Sequence, residues 1–199
     1  MKPLFYDDNL DEALPRSDSS IFLAGPTAPG VMRTPWRANA LALLQKHAYS
    51  GFVLLPEFRD SPFLEAAPRV FGKGESPVPG MRVTTYNILR WETVGIERAT
   101  IVLFWMPFRI TADTDPASLP GFTTRAEVSR ELQRAPERLV LGMPADAFSS
   151  GHIRYHAHHA GLHIEPRGHG RLRNVAPATV RLRRRDRSYT HLESSRVAW

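Results

Sequence analysis

Glu127 is the residue whose type and setting point most directly to chemistry. It closes the stretch Gly121-Phe122-Thr123-Thr124-Arg125-Ala126-Glu127, which leads from a turn-rich segment into an amphipathic run. Two readings fit this spacing. Thr124-x-x-Glu127 has the form of a capping box, in which a hydroxyl and a carboxylate close the first turn of a helix. The same placement sets a carboxylate against the positive end of a helix dipole. That keeps it ionised near neutral pH, as a nucleophile must be. Trp91-Glu92 offers a second acid, either a solvated boundary residue beside a buried indole or a carboxylate facing Glu127 across a pocket. In Pro56-Glu57-Phe58-Arg59-Asp60 three charges follow an apolar run. They form a salt-bridged loop or touch the hydroxyls and base of a sugar-containing ligand.

Ile21-Phe22-Leu23-Ala24-Gly25-Pro26-Thr27 is an apolar run ending in a tight turn. Glycine there lets backbone approach a ligand closely, and a helix beginning at 34–36 offers its N-terminus to an anion such as a phosphate. The stretch is neither a Walker loop nor a G-x-G-x-x-G fingerprint. His152, His156, His159 and His163 recur at helical spacing, which zinc can use. With no cysteine in the chain and no well-spaced acid beside them, they read as a solvated or partly buried histidine face.

These residues need strands and helices to hold them. Ser20 to Gly25 reads as a buried first strand and Gly51 to Pro56 as a second. Pro35 suits the first turn of a helix, and Trp36 to His47 carries an amphipathic pattern. Residues 57–83 show no sustained period and read as one long loop. Thr84 or Thr85 caps a helix running to Arg98, and Thr100 to Met106 is the most apolar and central strand. Residues 107–120 read as a loop, Phe122 to Arg134 as a helix, Arg138 to Met143 as a strand, and Ser150 to Ala160 as a helix. Leu162 to Ile164 reads as a short edge strand. Strands alternating with helices at this spacing imply a parallel sheet with helices on both faces. Ligands then bind outside the carboxyl ends of the strands, where the loops 25–34, 56–83 and 107–121 would lie.

At 199 residues and 42% hydrophobic, the chain suits one α/β domain. The absence of cysteine excludes disulfides and thiolate chemistry. No apolar run approaches the length of a membrane helix. Acidic residues crowd positions 1–20, unlike a signal or transit peptide, so a cytoplasmic location is expected. The net charge of +6 belongs wholly to residues 165–199, where nine arginines stand against three acids. Residues 1–164 balance seventeen basic groups against seventeen acidic ones, so the high pI is no sign that this part binds nucleic acid. Only the arginine tail, with residues 179–184 alternating enough for an edge strand, offers a polyanion site.

In order and spacing, six segments resemble the nucleoside 2-deoxyribosyltransferase-like family. They are Ile21 to Thr27, Trp36-Arg37, Pro56 to Asp60, Trp91-Glu92, Val102-Leu103-Phe104-Trp105-Met106-Pro107, and Gly121 to Glu127. The resemblance divides the chain into an extension over 1–19, the family domain over 20–164 and a tail over 165–199. It implies a flavodoxin-like, three-layer α/β fold with a parallel central sheet. It further implies a glutamate nucleophile, carried onto Glu127, that attacks the anomeric carbon of a nucleoside and passes the sugar to a second base. Glu92 is the candidate proton donor to the departing base, with Tyr86 the alternative. The implied substrate-binding set is Gly25, Pro26, Thr27, Arg37, Glu57, Arg59, Asp60, Tyr86, Trp91, Thr123 and Thr124. No cofactor or metal is implied, and relatives commonly form homo-oligomers. The chain departs from the family's usual residues at Thr100, Gly121, Thr123, Arg125 and Ser129. A phosphate held near Arg33 or Arg37 would instead favour a hydrolase acting on a nucleotide with water. If Glu127 is only a cap, what remains is a non-catalytic nucleotide-binding module.

Overall fold

The computed structural model describes residues 1–16, 18–27, 34–107, 121–162 and 164–166, the last two of these through their backbone only. Six strands form one sheet: β1 (Lys2–Leu4), β2 (Ser20–Ala24), β3 (Phe52–Leu54), β4 (Ile101–Trp105), β5 (Leu139–Met143) and β6 (Glu165–Pro166). The helices are α1 (Leu10–Ala13), α2 (Pro35–Lys46), α3 (Phe63–Phe71), α4 (Val83–Arg98), α5 (Phe122–Arg134) and α6 (Gly151–His159). The sheet order is β1-β3-β2-β4-β5-β6 and every pair is parallel. Without the edge strand β1 this is the flavodoxin order, so the protein has the expected flavodoxin-like, three-layer α/β fold.

Alternation along the strands divides the core in two. Phe22, Ala24, Leu54, Val102, Phe104, Leu139 and Leu141 face one layer, against α1, α3, α4, α5 and α6. Phe5, Leu23, Val53 and Leu55 face the other, against Trp36, Ala40, Leu41 and Leu44 of α2. Gly95 sits where α4 crosses β2; a Cβ there would come within 2.7 Å of the Phe22 ring, so only glycine lets the helix lie this close to the sheet.

Four elements differ from the sequence reading, the first being α4, which begins at Val83 with Arg82 as N-cap and no side-chain capping bond, so neither Thr84 nor Thr85 caps it. Residues 57–83 are not one loop. Phe63–Phe71 forms a helix, although Pro62 precedes it and Pro68 lies inside it, because Phe63, Ala66, Ala67 and Phe71 supply a short apolar stripe. Residues 1–16 give the sheet its edge strand and bury Leu4, Tyr6, Leu10 and Leu14 in the main core. The last strand falls at Glu165–Pro166 rather than 162–164, where it pairs with Gly142 and Met143. The strand expected over 179–184, the remaining tail, His163, Arg33 and most of the loops 25–34 and 107–121 lie outside the described residues. Among the described residues no helix is long and apolar enough to cross a membrane.

Candidate active site

A parallel sheet brings the residues that follow its strands to one edge. Tyr6 follows β1, Gly25 follows β2, Glu57 lies just past β3, and Trp105 ends β4. The chain moves from β2 to β3 on one side and to β4 on the other, so the order reverses between β2 and β4. That reversal is where ligands bind in such folds. Gly25 lies at this point with φ +149°, and a Cβ on it would stand 2.6 Å from the Trp105 carbonyl oxygen and 2.9 Å from the Trp36 ring. The turn therefore needs glycine.

One acidic group at this edge is engaged in architecture. Arg37 is 0% exposed. Its Nε donates to Leu23 O at 3.1 Å, and its Nη2 to Gly25 O at 2.6 Å. Its Nη1 lies 3.0 Å from Glu57 Oε1 and 3.1 Å from Thr27 Oγ1. The same Glu57 oxygen accepts the Thr34 backbone N–H at 2.9 Å, at the N-cap of α2. The anion expected at the start of this helix is thus the chain's own carboxylate. Burial lowers the Arg37 pKa, against the pull of Glu57, Tyr6 and Glu92, yet a guanidinium stays charged. Arg37 and Glu57, expected to contact substrate, instead hold the ends of β2, β3 and α2 together.

The second acidic group differs. Tyr6, 3% exposed, donates its hydroxyl hydrogen to Glu92 Oε1. Its ring is held by Phe58, Phe63, Phe71 and Trp91, with centroids 4.9–6.2 Å away. Burial, then the charge of Glu92, keeps the phenol well above the usual tyrosine range. Burial also raises Glu92, opposed by the Tyr6 hydroxyl and by Arg37. Glu127 is half-buried, and its pKa is pushed up to about 7, first by burial and then by Glu92, with Arg130 acting in the opposite direction. The two glutamates therefore lie within electrostatic reach of each other, as a facing pair requires.

Glu127 is the sixth residue of α5, whose N-cap is Gly121 in the left-handed conformation, with no side-chain capping bond. The capping-box reading fails for that reason. Two turns into the helix, Glu127 also lies beyond the strongest reach of the dipole. Its environment favours the protonated form, contrary to the expectation that the helix end holds it ionised. Thr124 is buried and Thr123 exposed, neither as a cap.

The other expected site residues scatter. Trp91 is core, with its indole N–H on Asp8 O at 3.1 Å. Arg59 bonds both carboxylate oxygens of Asp8 at 2.8–2.9 Å and stacks on Phe5 at 4.5 Å. Asp60 and Thr27 are exposed, and Pro26 accepts the Trp36 indole N–H at 2.9 Å. Tyr86, half-buried, lies six residues before Glu92 on α4, about 120° round the helix from it. That places it on a different face of the helix from Glu92. At the N-terminus of α4 a depression of about 380 Å³ is lined by Val78, Pro79, Gly80, Met81, Arg82 and Thr85. Thr85 is two helical turns from Glu92 on the same stripe.

Two departures from the family pattern have structural partners. Thr100 and Ser20 exchange backbone-to-hydroxyl bonds of 3.1 Å at the opposite edge of the sheet, away from the site. Arg125 reaches the Ser149 carbonyl at 2.8 Å and ties α5 to the segment before α6. His152 and His156 stand 4.3 Å apart on α6, and among the described residues no group of three metal-ligating side chains forms.

Tyr6 is the residue that sequence reasoning missed. The signal was present: Leu4, Phe5 and Tyr6 alternate between the two faces of the sheet. The acidic neighbours Asp7, Asp8, Asp11 and Glu12 hid it. No family model matches the chain, and no curated protein matches it either.

Proposed function

We propose that this protein cleaves the N-glycosidic bond of a nucleoside or deoxynucleoside and transfers the sugar to a second base. The observation that supports this reading is the Glu92–Glu127 pair: two partly buried carboxylates, on α4 and α5, close enough that the charge of one raises the pKa of the other. Paired acids of this kind serve oxocarbenium-like chemistry at an anomeric carbon. The six-segment resemblance assigns the roles. The Glu127 carboxylate attacks the anomeric carbon, the bond to the base nitrogen breaks, and Glu92 protonates that nitrogen. An incoming base then attacks the same carbon, frees Glu127, and returns its proton to Glu92. Transfer is favoured over nucleotide hydrolysis because Arg37 and the first turn of α2, the described part of the expected phosphate site, are engaged with Glu57, while Arg33 lies outside the described residues.

A second reading exchanges the roles. The Tyr6 hydroxyl stabilises an ionised Glu92, which then attacks, while Glu127 keeps the proton and acts as the acid. Incubation with 2′-deoxynucleosides and a free second base tests the common core of both. A new nucleoside is expected. Free base without transfer supports hydrolysis, and no product at any pH sinks the enzymatic reading.

A further inference from the structure

We infer that Tyr6, brought to the site by the N-terminal strand, is a positioning residue that fixes Glu92 and decides which of the two carboxylates carries their shared proton. This rests on the reading of Glu92 and Glu127 as the working pair. The geometry leaves Tyr6 little freedom. Its ring is packed by four aromatic side chains on three segments of the chain. Its backbone N–H is bonded to Glu57 O at 2.9 Å. The hydroxyl is therefore aimed at Glu92 by the fold, across 86 residues of sequence.

A phenol that stays protonated offers Glu92 a donor, and a donor favours the ionised acceptor. Arg37 acts on Glu92 in the same sense from α2. With Glu92 charged first, its repulsion adds to burial and keeps the proton on Glu127 in the free protein; attack by Glu127 then requires that this proton pass to Glu92 when the nucleoside binds. The remaining charges around the pair are Arg130 and Glu131, both on α5, acting in opposite senses on Glu127. From α1 and α3, which also pack on α4, the charged side chains Asp11, Glu12, Glu65 and Arg69 are exposed to solvent. On the far side of α5, His152 and His156 face Ser129 and Gln133. None of these supplies Glu92 with a buried donor. Removing the Tyr6 hydroxyl should thus move the two glutamates in opposite directions, which loosened packing alone would not do.

Tyr6→Phe keeps the ring and deletes only the hydroxyl. Carboxylate titrations followed by NMR on the isotope-labelled full chain, assigned with Glu92→Gln and Glu127→Gln, read the result directly. Glu92 is expected to titrate at higher pH than in the parent protein and Glu127 at lower pH. Titrations that stay put, or that move together, overturn the inference. Should Tyr6→Phe not fold, Glu92→Gln probes the contact from its other end. The Tyr6 phenol should then titrate closer to the ordinary tyrosine value, and an unmoved phenol overturns the inference equally. Opposite shifts without any sugar transfer would uphold the role of Tyr6 and reject the proposed function. Transfer activity with unmoved titrations would do the reverse.

Discussion

Glu57 and Glu127 are both withdrawn from water at the carboxyl edge of the same sheet, yet only Glu57 is bonded to a guanidinium. Arg37 and Glu57 share a bond of 3.0 Å, and further bonds run to backbone at Leu23, Gly25 and Thr34 and to the Thr27 and Thr34 hydroxyls. Such a pair is tied down on several sides and has no easy way to move, so it serves as a bracket. Glu127 faces another acid instead, and among the described residues no donor bonds its carboxylate. An acid left in this way titrates near neutrality, so at pH 7 it holds a proton that it can give up to become the attacking carboxylate. Matched charge makes structure here, and unmatched charge leaves an acid that titrates near neutrality.

The sharpest break between the two is their response to substitution. Glu127→Gln should lower sugar transfer by about 1000-fold or more while the protein stays folded; turnover with deoxynucleosides measures it, and a folded variant of full activity would contradict the assignment. Arg37→Met should act the other way round. It strands Glu57 in the interior, so about 3–5 kcal/mol of stability should be lost in denaturant unfolding. A loss below about 1 kcal/mol would mean that the bracket is dispensable.

Proton linkage separates the pair next. Folding raises the pKa of Glu127 from 4.5 to about 7, so the folded state grips this proton more tightly than the unfolded chain. The resulting stability is complete below pH 4.5 and is lost as the pH rises through about 7. Glu127→Gln should therefore match the parent at pH 4 and exceed it by up to about 3 kcal/mol at pH 8. A difference that stays constant with pH would argue against this account of the burial. For the same reason kcat/KM should decline above about pH 7, when the last proton leaves the pair. The smallest effect is expected at Arg59, 44% exposed and paired with Asp8 at the surface. Arg59→Ala should cost no more than about 1 kcal/mol and leave turnover near its parent value; a large drop in turnover would restore Arg59 to the site.

Much of this layout was legible in the sequence. Ser20 to Gly25 and Thr100 to Met106 read as strands because the apolar side chains on both faces of these central strands are buried or half-buried. Pro35 marked the start of α2 correctly. What failed to show were features set by tertiary contact. Pro68 disguised α3, and β1, three residues beside an acidic run, carried too little pattern to register. Thr124 and Glu127 have capping-box spacing, but the helix starts at Phe122, so the helix boundary decided against it. The ionisation of Glu127 was misjudged because local sequence shows a helix end but not the burial and the second carboxylate that outweigh it. Glu57 and Arg37 stand 20 residues apart, and nothing local announces that they neutralise each other.

The account rests most heavily on Glu127 as the attacking group. Brief exposure of the protein to a 2′-deoxynucleoside, acid quenching and peptide mapping by mass spectrometry examine this directly. A deoxyribosyl adduct on the peptide carrying Glu127, absent from Glu127→Gln, is the predicted result. The same adduct on Glu92, with Glu127 unmodified, would contradict it.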